Sequence, residues 1–187
     1  FCRKANIRSM LPPTKQNLLA VGRGVIFHLA PSNVPINFAF SWLMGFVTGN
    51  LNIVRIPSEK YPQIDIVLKA ICQVSKKIEQ SSISNRSLFV RYDKSSSATQ
   101  EISLISDIRM IWGGDKKISE VRGHPIAARA YDIPFADRYS ICALNSKKME
   151  EIPKLKSLAK AFFNDAFFSD QNACTSPHLI FWVGTKA

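Results

Sequence analysis

The chain has 187 residues, 46% of them hydrophobic and 21% charged, the composition of an ordinary soluble protein of one domain or one large domain with an appendage. No apolar run approaches the ~20 residues that a membrane-spanning helix needs, which excludes a membrane span. The net charge of +11 admits anionic partners, but no arginine-rich block with interleaved aromatics is present, so nucleic acid is not an expected partner.

In chain order, residues 1–23 carry many polar and charged residues plus Pro12-Pro13 and are expected to be a lead-in segment. The run Gly24-Val25-Ile26-Phe27-His28-Leu29-Ala30 suits a strand buried on both faces. A turn at Pro31-Ser32-Asn33-Val34-Pro35 leads into an apolar helix over 36–47, with Gly45 permitting close packing. A strand over 51–56 closes at Pro57-Ser58-Glu59, and Ile64, Val67, Ile71, Val74 and Ile78 mark one face of the next helix. A strand over 87–92 follows, then a helix carrying Ile102, Ile105 and Ile108, and a short strand at Met110-Ile111-Trp112. Gly113-Gly114-Asp115 precedes a short helix over 116–122. Residues 123–144 read as extended, with 139–144 the clearest strand. Leu155, Leu158, Ala159, Phe162, Phe163 and Ala166 have the spacing of a core-facing helix. Lys147, Lys148, Lys154, Lys156 and Lys160 are expected on the solvated side of that one helix. It delivers the chain to Cys174 and the apolar run 179–183 of a buried strand. Strands alternating with helices predict an α/β fold with a largely parallel sheet, whose ligands sit at the carboxyl ends of the strands.

Three features carry chemistry. Cys174 lies in the polar stretch Ser169-Asp170-Gln171-Asn172-Ala173-Cys174-Thr175-Ser176-Pro177. It is either a nucleophile or a small inert core residue, since reactivity depends on exposure and local charge. Asn33, between two prolines, could donate to an oxyanion or close an Asx-turn. Gly113-Gly114 before a helix could admit a phosphate or form an ordinary turn. The G-x-G-x-x-G fingerprint is absent. Cys2, Cys72, Cys142 and Cys174 form no C-x-x-C pair, and His28, His124 and His178 are scattered, so no metal site is expected and the thiols read as reduced and cytoplasmic.

Pro31-Ser32-Asn33-Val34-Pro35, Gly49-Asn50, Pro57-Ser58-Glu59, Trp112-Gly113-Gly114 and Gln171-Asn172-Ala173-Cys174 together resemble the aldehyde dehydrogenase superfamily in order and spacing. The likeness is strongest to its acyl-CoA reductase branch, the LuxC family of bacterial luminescence operons, and runs from about Gly24 to Val183. It implies a Rossmann-like, mostly parallel sheet with helices on both faces. In domain terms it implies a nucleotide-binding domain over 24–145 and the start of a catalytic domain over 146–187. It also implies Cys174 as nucleophile, with Asn33 and the Cys174 backbone N–H as oxyanion hole. For the cofactor it implies Pro31 and Ser32 as contacts, Pro57, Ser58 and Glu59 at the adenosine ribose, and Gly113 and Gly114 near the pyrophosphate. NADPH is the cofactor implied, with NADH open. Arg55 could meet a 2′-phosphate and Glu59 would repel one.

The substrate so implied is acyl-CoA or an acyl-protein thioester, with an acyl-protein synthetase as a partner and a homo-oligomer for the full-length enzyme. Three departures qualify the likeness. Ile56 stands where the superfamily usually has Lys. Phe135 stands at the position of the Glu base of hydrolytic members, with Asp137 two residues away. The sequence starts Phe1-Cys2-Arg3-Lys4 and stops at Ala187, before the superfamily's catalytic domain would be complete, so a fragment is expected. The expected activity is thioester reduction to an aldehyde, because an acyl-enzyme without a water-activating base persists until hydride arrives. The alternatives are an aldehyde dehydrogenase that forms acids, and a non-catalytic nucleotide- or CoA-binding module.

Overall fold

The computed structural model describes residues 4–10, 21–77, 82–150 and 155–184. They form two units, one ending at Ala136 and one starting at Asp137. In the first, a helix α1 (Lys4–Met10) lies within the expected lead-in, whose Pro12-Pro13 falls outside the described residues. Five strands follow: β1 (Val25–Leu29), β2 (Leu51–Arg55), β3 (Ser87–Val90), β4 (Ile108–Gly113) and β5 (Tyr131–Ala136). Their order is β3-β2-β1-β4-β5, and every neighbouring pair is parallel. The connections carry helices α2 (Asn37–Val47), α3 (Pro62–Lys77), α4 (Ser82–Asn85), α5 (Ala98–Leu104) and α6 (Asp115–Arg122).

Side-chain alternation along β1 divides the core between two faces. Ala30 joins Val54 under Phe38 and Trp42 of α2 and Ile64 of α3. Phe27 and Leu29 point the other way, joining Ile111 under Ile118 and Val121 of α6. Burial on both faces explains why β1 is a continuous apolar run. Gly45 lets α2 approach the sheet: a Cβ there would lie 2.1 Å from Asn52 Oδ1.

Two hydrogen-bonded networks of buried polar residues, centred on Arg109 and His28, interrupt this core. Arg109, the second residue of β4, is fully buried and holds Asp132 of β5 bidentately, Nε to Oδ1 at 2.7 Å and Nη2 to Oδ2 at 2.9 Å. Its Nη1 also donates to the Val121 carbonyl at 2.8 Å, so one side chain ties two strands to α6. His28 faces α2, and its ring nitrogens lie 2.8 Å from Ser41 Oγ and 3.0 Å from Asn52 Oδ1.

Several sequence expectations shift. Ile105 ends α5 and is 64% exposed, while Ile108 opens β4, because α5 stops at Leu104. Val74 is exposed near the end of α3; Ile64, Val67, Leu68 and Ile71 carry its packing, and Ile78 lies outside the described residues. The expected strand over 139–144 is β6 (Ser140–Asn145) and belongs to the second unit, where it pairs in parallel with β7 (Pro177–Val183). The lysine-rich stretch carries α7 (Ser146–Glu150) and α8 (Leu155–Ala166), and residues 151–154 lie outside the described residues. Lys147, Lys148, Lys156 and Lys160 are exposed as expected, and Lys154 lies outside the described residues.

Of the α8 face expected in a core, Ala166 is buried and Leu158 and Phe162 are half-buried, but much of the rest, with β7, is not. Leu155 and Phe163 are exposed, as are Leu179 through Val183. A two-stranded parallel sheet with one long helix offers too little cover for such a strand, which normally needs both faces packed.

Candidate active site and cofactor edge

The strands of the first unit all run the same way, so the segments following β1, β2, β3 and β4 emerge at one edge of the sheet. That edge brings together Pro31, Ser32 and Asn33 after β1, Pro57, Ser58 and Glu59 after β2, and Gly113 and Gly114 at the end of β4. Strand order reverses between β1 and β4, and at such a point the diverging loops leave a crevice where ligands of open α/β sheets bind.

Side-chain positions along this edge are set locally. Arg55 ends β2, with its guanidinium carbon 4.8 Å from the centre of the Tyr92 ring. Its Nη2 donates to the Tyr92 carbonyl at 3.3 Å and reaches Ser58 Oγ at 3.4 Å. Its Nε is buried with no hydrogen-bond partner among the described residues, so it remains available to an acceptor. Pro57 is buried and its carbonyl accepts from Arg91 Nε at 3.2 Å, which fixes the turn. Ser58 and Glu59 are exposed, and the Glu59 carboxylate accepts a hydrogen bond from the Tyr61 hydroxyl. At β4, Gly113 adopts φ +152°, a conformation favouring glycine, and no atom lies within 4 Å of where a Cβ of Gly114 would stand. The backbone at Gly114 is therefore open to close approach.

Lys117 is the residue that sequence reasoning missed at this edge. Helical side chains lean toward the N-terminus, so Lys117, in the first turn of α6, reaches back over the glycine turn. Its Nζ donates to the Ala30 carbonyl at the end of β1, at 3.2 Å. Burial, reinforced by the charges of Arg55 and Lys94 and opposed by Glu120, lowers its pKa from 10.5 to about 8. A lysine three residues after a glycine pair that opens a helix is the signal that could have found it.

Trp112 precedes the glycines. It stacks on Phe135, ring centroids 4.0 Å apart and nearly coplanar at 7°, and its Nε1 donates to Ser41 Oγ at 3.0 Å. Asn52 donates through Nδ2 to the Asn50 and Arg86 carbonyls, so its Oδ1 must accept from His28. His28 thus carries its proton on Nε2, and Nδ1 accepts from Ser41. Desolvation, only partly offset by the Asn52 hydrogen bond, lowers the His28 pKa to about 4, so the ring is neutral. A four-residue relay therefore fixes the tryptophan beside the glycine turn.

The second unit carries Cys174 on the loop between α8 and β7. The thiol is free and exposed. Ser140 Oγ donates to the Cys174 carbonyl at 2.6 Å, and Ser176 N donates to the Ala173 carbonyl at 2.9 Å. Asp170 and Gln171 adopt left-handed backbone, φ 49° and 59°, a conformation that costs non-glycine residues about 1 kcal/mol or more each and that functional loops often retain. Thr175, beside Cys174, lines an open depression of about 440 Å³ with Ile141, Cys142, Phe162 and Asp165. Among the described residues no group of three or more His, Cys, Asp or Glu could hold a metal, and no helix is long and apolar enough to cross a membrane.

The sequence model of the acyl-CoA reductase (LuxC) family matches residues 3–186. The chain belongs to that family. Among its relatives, the long-chain acyl-protein thioester reductase of Aliivibrio fischeri is 25% identical over 163 residues, 87% of this chain and 32% of that protein. That of Photorhabdus laumondii is 26% identical over 179 residues, 94% of this chain and 35% of its own length. The chain thus spans about a third of the length of these LuxC-family relatives. Its fold is that of aldehyde dehydrogenase structures. HpcC from Thermus thermophilus superposes with a TM-score of 0.62 at 14% identity, over 86% of this chain and 30% of that one. The aldehyde dehydrogenase from Bartonella henselae gives 0.60 at 11% identity, over 86% and 32%. The five-stranded parallel sheet of this LuxC-family chain accordingly has the Rossmann-like arrangement that the motifs implied.

Proposed function

We propose that the chain provides the cofactor-binding edge and the nucleophile loop of an NADPH-dependent acyl-thioester reductase. The observation that carries this reading is the exposed thiol of Cys174, on a loop whose Cys174 carbonyl accepts from Ser140 Oγ and whose Asp170 and Gln171 are left-handed, in a chain of the LuxC family. The Cys174 sulfur attacks the acyl carbonyl, and the Cys174 backbone N–H stabilises the oxyanion. Collapse breaks the donor's C–S bond, releases CoA or a carrier thiol, and leaves the acyl group on Cys174. When bound, the nicotinamide supplies the hydride that reduces this thioester to the aldehyde and frees the thiolate.

The edge of the first unit fits a dinucleotide: Arg55 Nε is an unused buried donor, and the Gly114 backbone is open. Pro57, Ser58 and Glu59 would meet the adenosine ribose, Gly113 and Gly114 the pyrophosphate, and Pro31 and Ser32 would also contact the cofactor. In this reading Phe135, which stacks on Trp112, stands in the alignment where hydrolytic members carry their Glu base, with Asp137 two residues away; a phenyl ring offers no group to activate water, so aldehyde is the expected product. Residues 24–145 would then serve nucleotide binding and 146–187 would begin the catalytic domain. The same reading takes its acyl group from an acyl-CoA or acyl-protein thioester, with an acyl-protein synthetase as partner, in the cytoplasm of a luminescent system.

Product analysis tests it on the whole protein that carries this chain. With tetradecanoyl-CoA and NADPH, tetradecanal should form, and Cys174→Ala should reduce the rate by about 10⁴-fold or more, as expected when a covalent nucleophile is lost. Tetradecanoic acid as the main product, or a Cys174→Ala variant of unchanged rate, contradicts the proposal.

A further inference from the structure

Three cations share the carboxyl edge of the first sheet without a counter-ion. Lys117 lies over the glycine turn and bonds the Ala30 carbonyl, at the point where strand order reverses. Arg55 is fixed at the end of β2 by the Tyr92 ring and carbonyl. Lys94 stands in the loop after β3 and is exposed. Among the described residues none of the three has a carboxylate within ion-pair distance; the pairs present are Arg109–Asp132 and Arg122–Asp132. Glu59, the nearest acid in sequence to Arg55, is instead engaged by the Tyr61 hydroxyl. Burial is the main cause that lowers the Lys117 pKa, and the charges of Arg55 and Lys94 lower it further, with Glu120 giving partial relief. Like charges converging on one crevice are unfavourable until an anion enters, and Arg55 Nε has no present use.

We propose that Lys117, together with Arg55 and Lys94, clamps the 2′-phosphate of an adenine dinucleotide, and that Lys117 sets the preference for the phosphorylated cofactor. Arg55 offers a planar fork suited to phosphate, and Ser58 Oγ beside it adds a hydroxyl donor. Lys117 supplies a point charge on the opposite side, from the segment after β4. This assignment rests on the cofactor reading above, but it adds a residue outside the ribose segment.

Titration calorimetry of the whole protein with 2′,5′-ADP and with 5′-AMP tests the clamp. Wild type should bind 2′,5′-ADP about tenfold or more tightly than 5′-AMP, as a desolvated, charge-assisted contact requires. Lys117→Met should erase most of that ratio with the 5′-AMP affinity changed by less than about twofold, and Lys117→Arg should retain it. Lys94→Ala, on an exposed loop, should reduce the ratio about threefold, a more modest loss in keeping with its solvent exposure. At pH 8, wild type should take up about half a proton on binding 2′,5′-ADP, read from heats in buffers of different ionisation enthalpy, and Lys117→Arg should take up none. A Lys117→Met protein that keeps the ratio, or that weakens both ligands alike, overturns the clamp. So does an unchanged ratio in Lys94→Ala, which holds even if Lys117→Met fails to fold. A wild type without preference for 2′,5′-ADP rejects the NADPH reading itself.

Discussion

Protonation of His28 should unlock the core of the first unit. The ring is fully buried and neutral, donating to Asn52 and accepting from Ser41, which in turn accepts from Trp112. Its folded pKa of about 4 lies below the unfolded value of 6.5, so the unfolded state binds the proton first as pH falls. The stabilisation is fully present above about pH 6.5 and is lost progressively down to about pH 4. The gap between the two values corresponds to about 3 kcal/mol, a large share of a typical domain's stability. The assay is urea denaturation followed by tryptophan fluorescence in a Trp182→Phe background, so that Trp42 and Trp112 report on the first unit. His28→Gln removes the titrating group. Its difference from wild type should shrink by about 3 kcal/mol between pH 7 and pH 4. A difference that stays constant over that range would show that His28 does not titrate abnormally and that the relay to Trp112 is not as described.

Two further changes probe the same scaffold. Asp132→Ala leaves the buried Arg109 guanidinium without its bidentate partner and should destabilise the first unit by about 3–5 kcal/mol in urea titration. Gly45→Ala forces a methyl to within 2.1 Å of Asn52 Oδ1. It should cost about 1–3 kcal/mol and, by displacing Asn52 from His28, change the fluorescence of Trp112.

Periodicity was informative where burial decided the structure. The β1 run and the α3 stripe led by Ile64 have the spacing their packing demands. Boundaries failed where one apolar residue served either of two elements: Ile108 fits the α5 spacing yet begins β4. Arg109 and His28 were illegible because a lone polar residue in an apolar run does not reveal its partners. Asp132 lies 23 positions from Arg109, and Asn52 lies 24 from His28. At the cofactor edge the order of short motifs pointed to the loops after β1, β2 and β4. Lys117 escaped notice because its importance comes from a three-dimensional convergence with Arg55 and Lys94. Conversely, the apolar pattern of α8 and β7 anticipated burial that two strands and one long helix do not supply.

The proposed role of Cys174 is to carry the acyl group. The direct measurement is peptide mapping by mass spectrometry after incubating the whole protein with tetradecanoyl-CoA in the absence of reduced cofactor. The account predicts a hydroxylamine-labile tetradecanoyl adduct on the peptide containing Cys174, present in Cys142→Ala and absent in Cys174→Ala. An adduct that persists in Cys174→Ala, or that maps to Cys72 or Cys142, would contradict it.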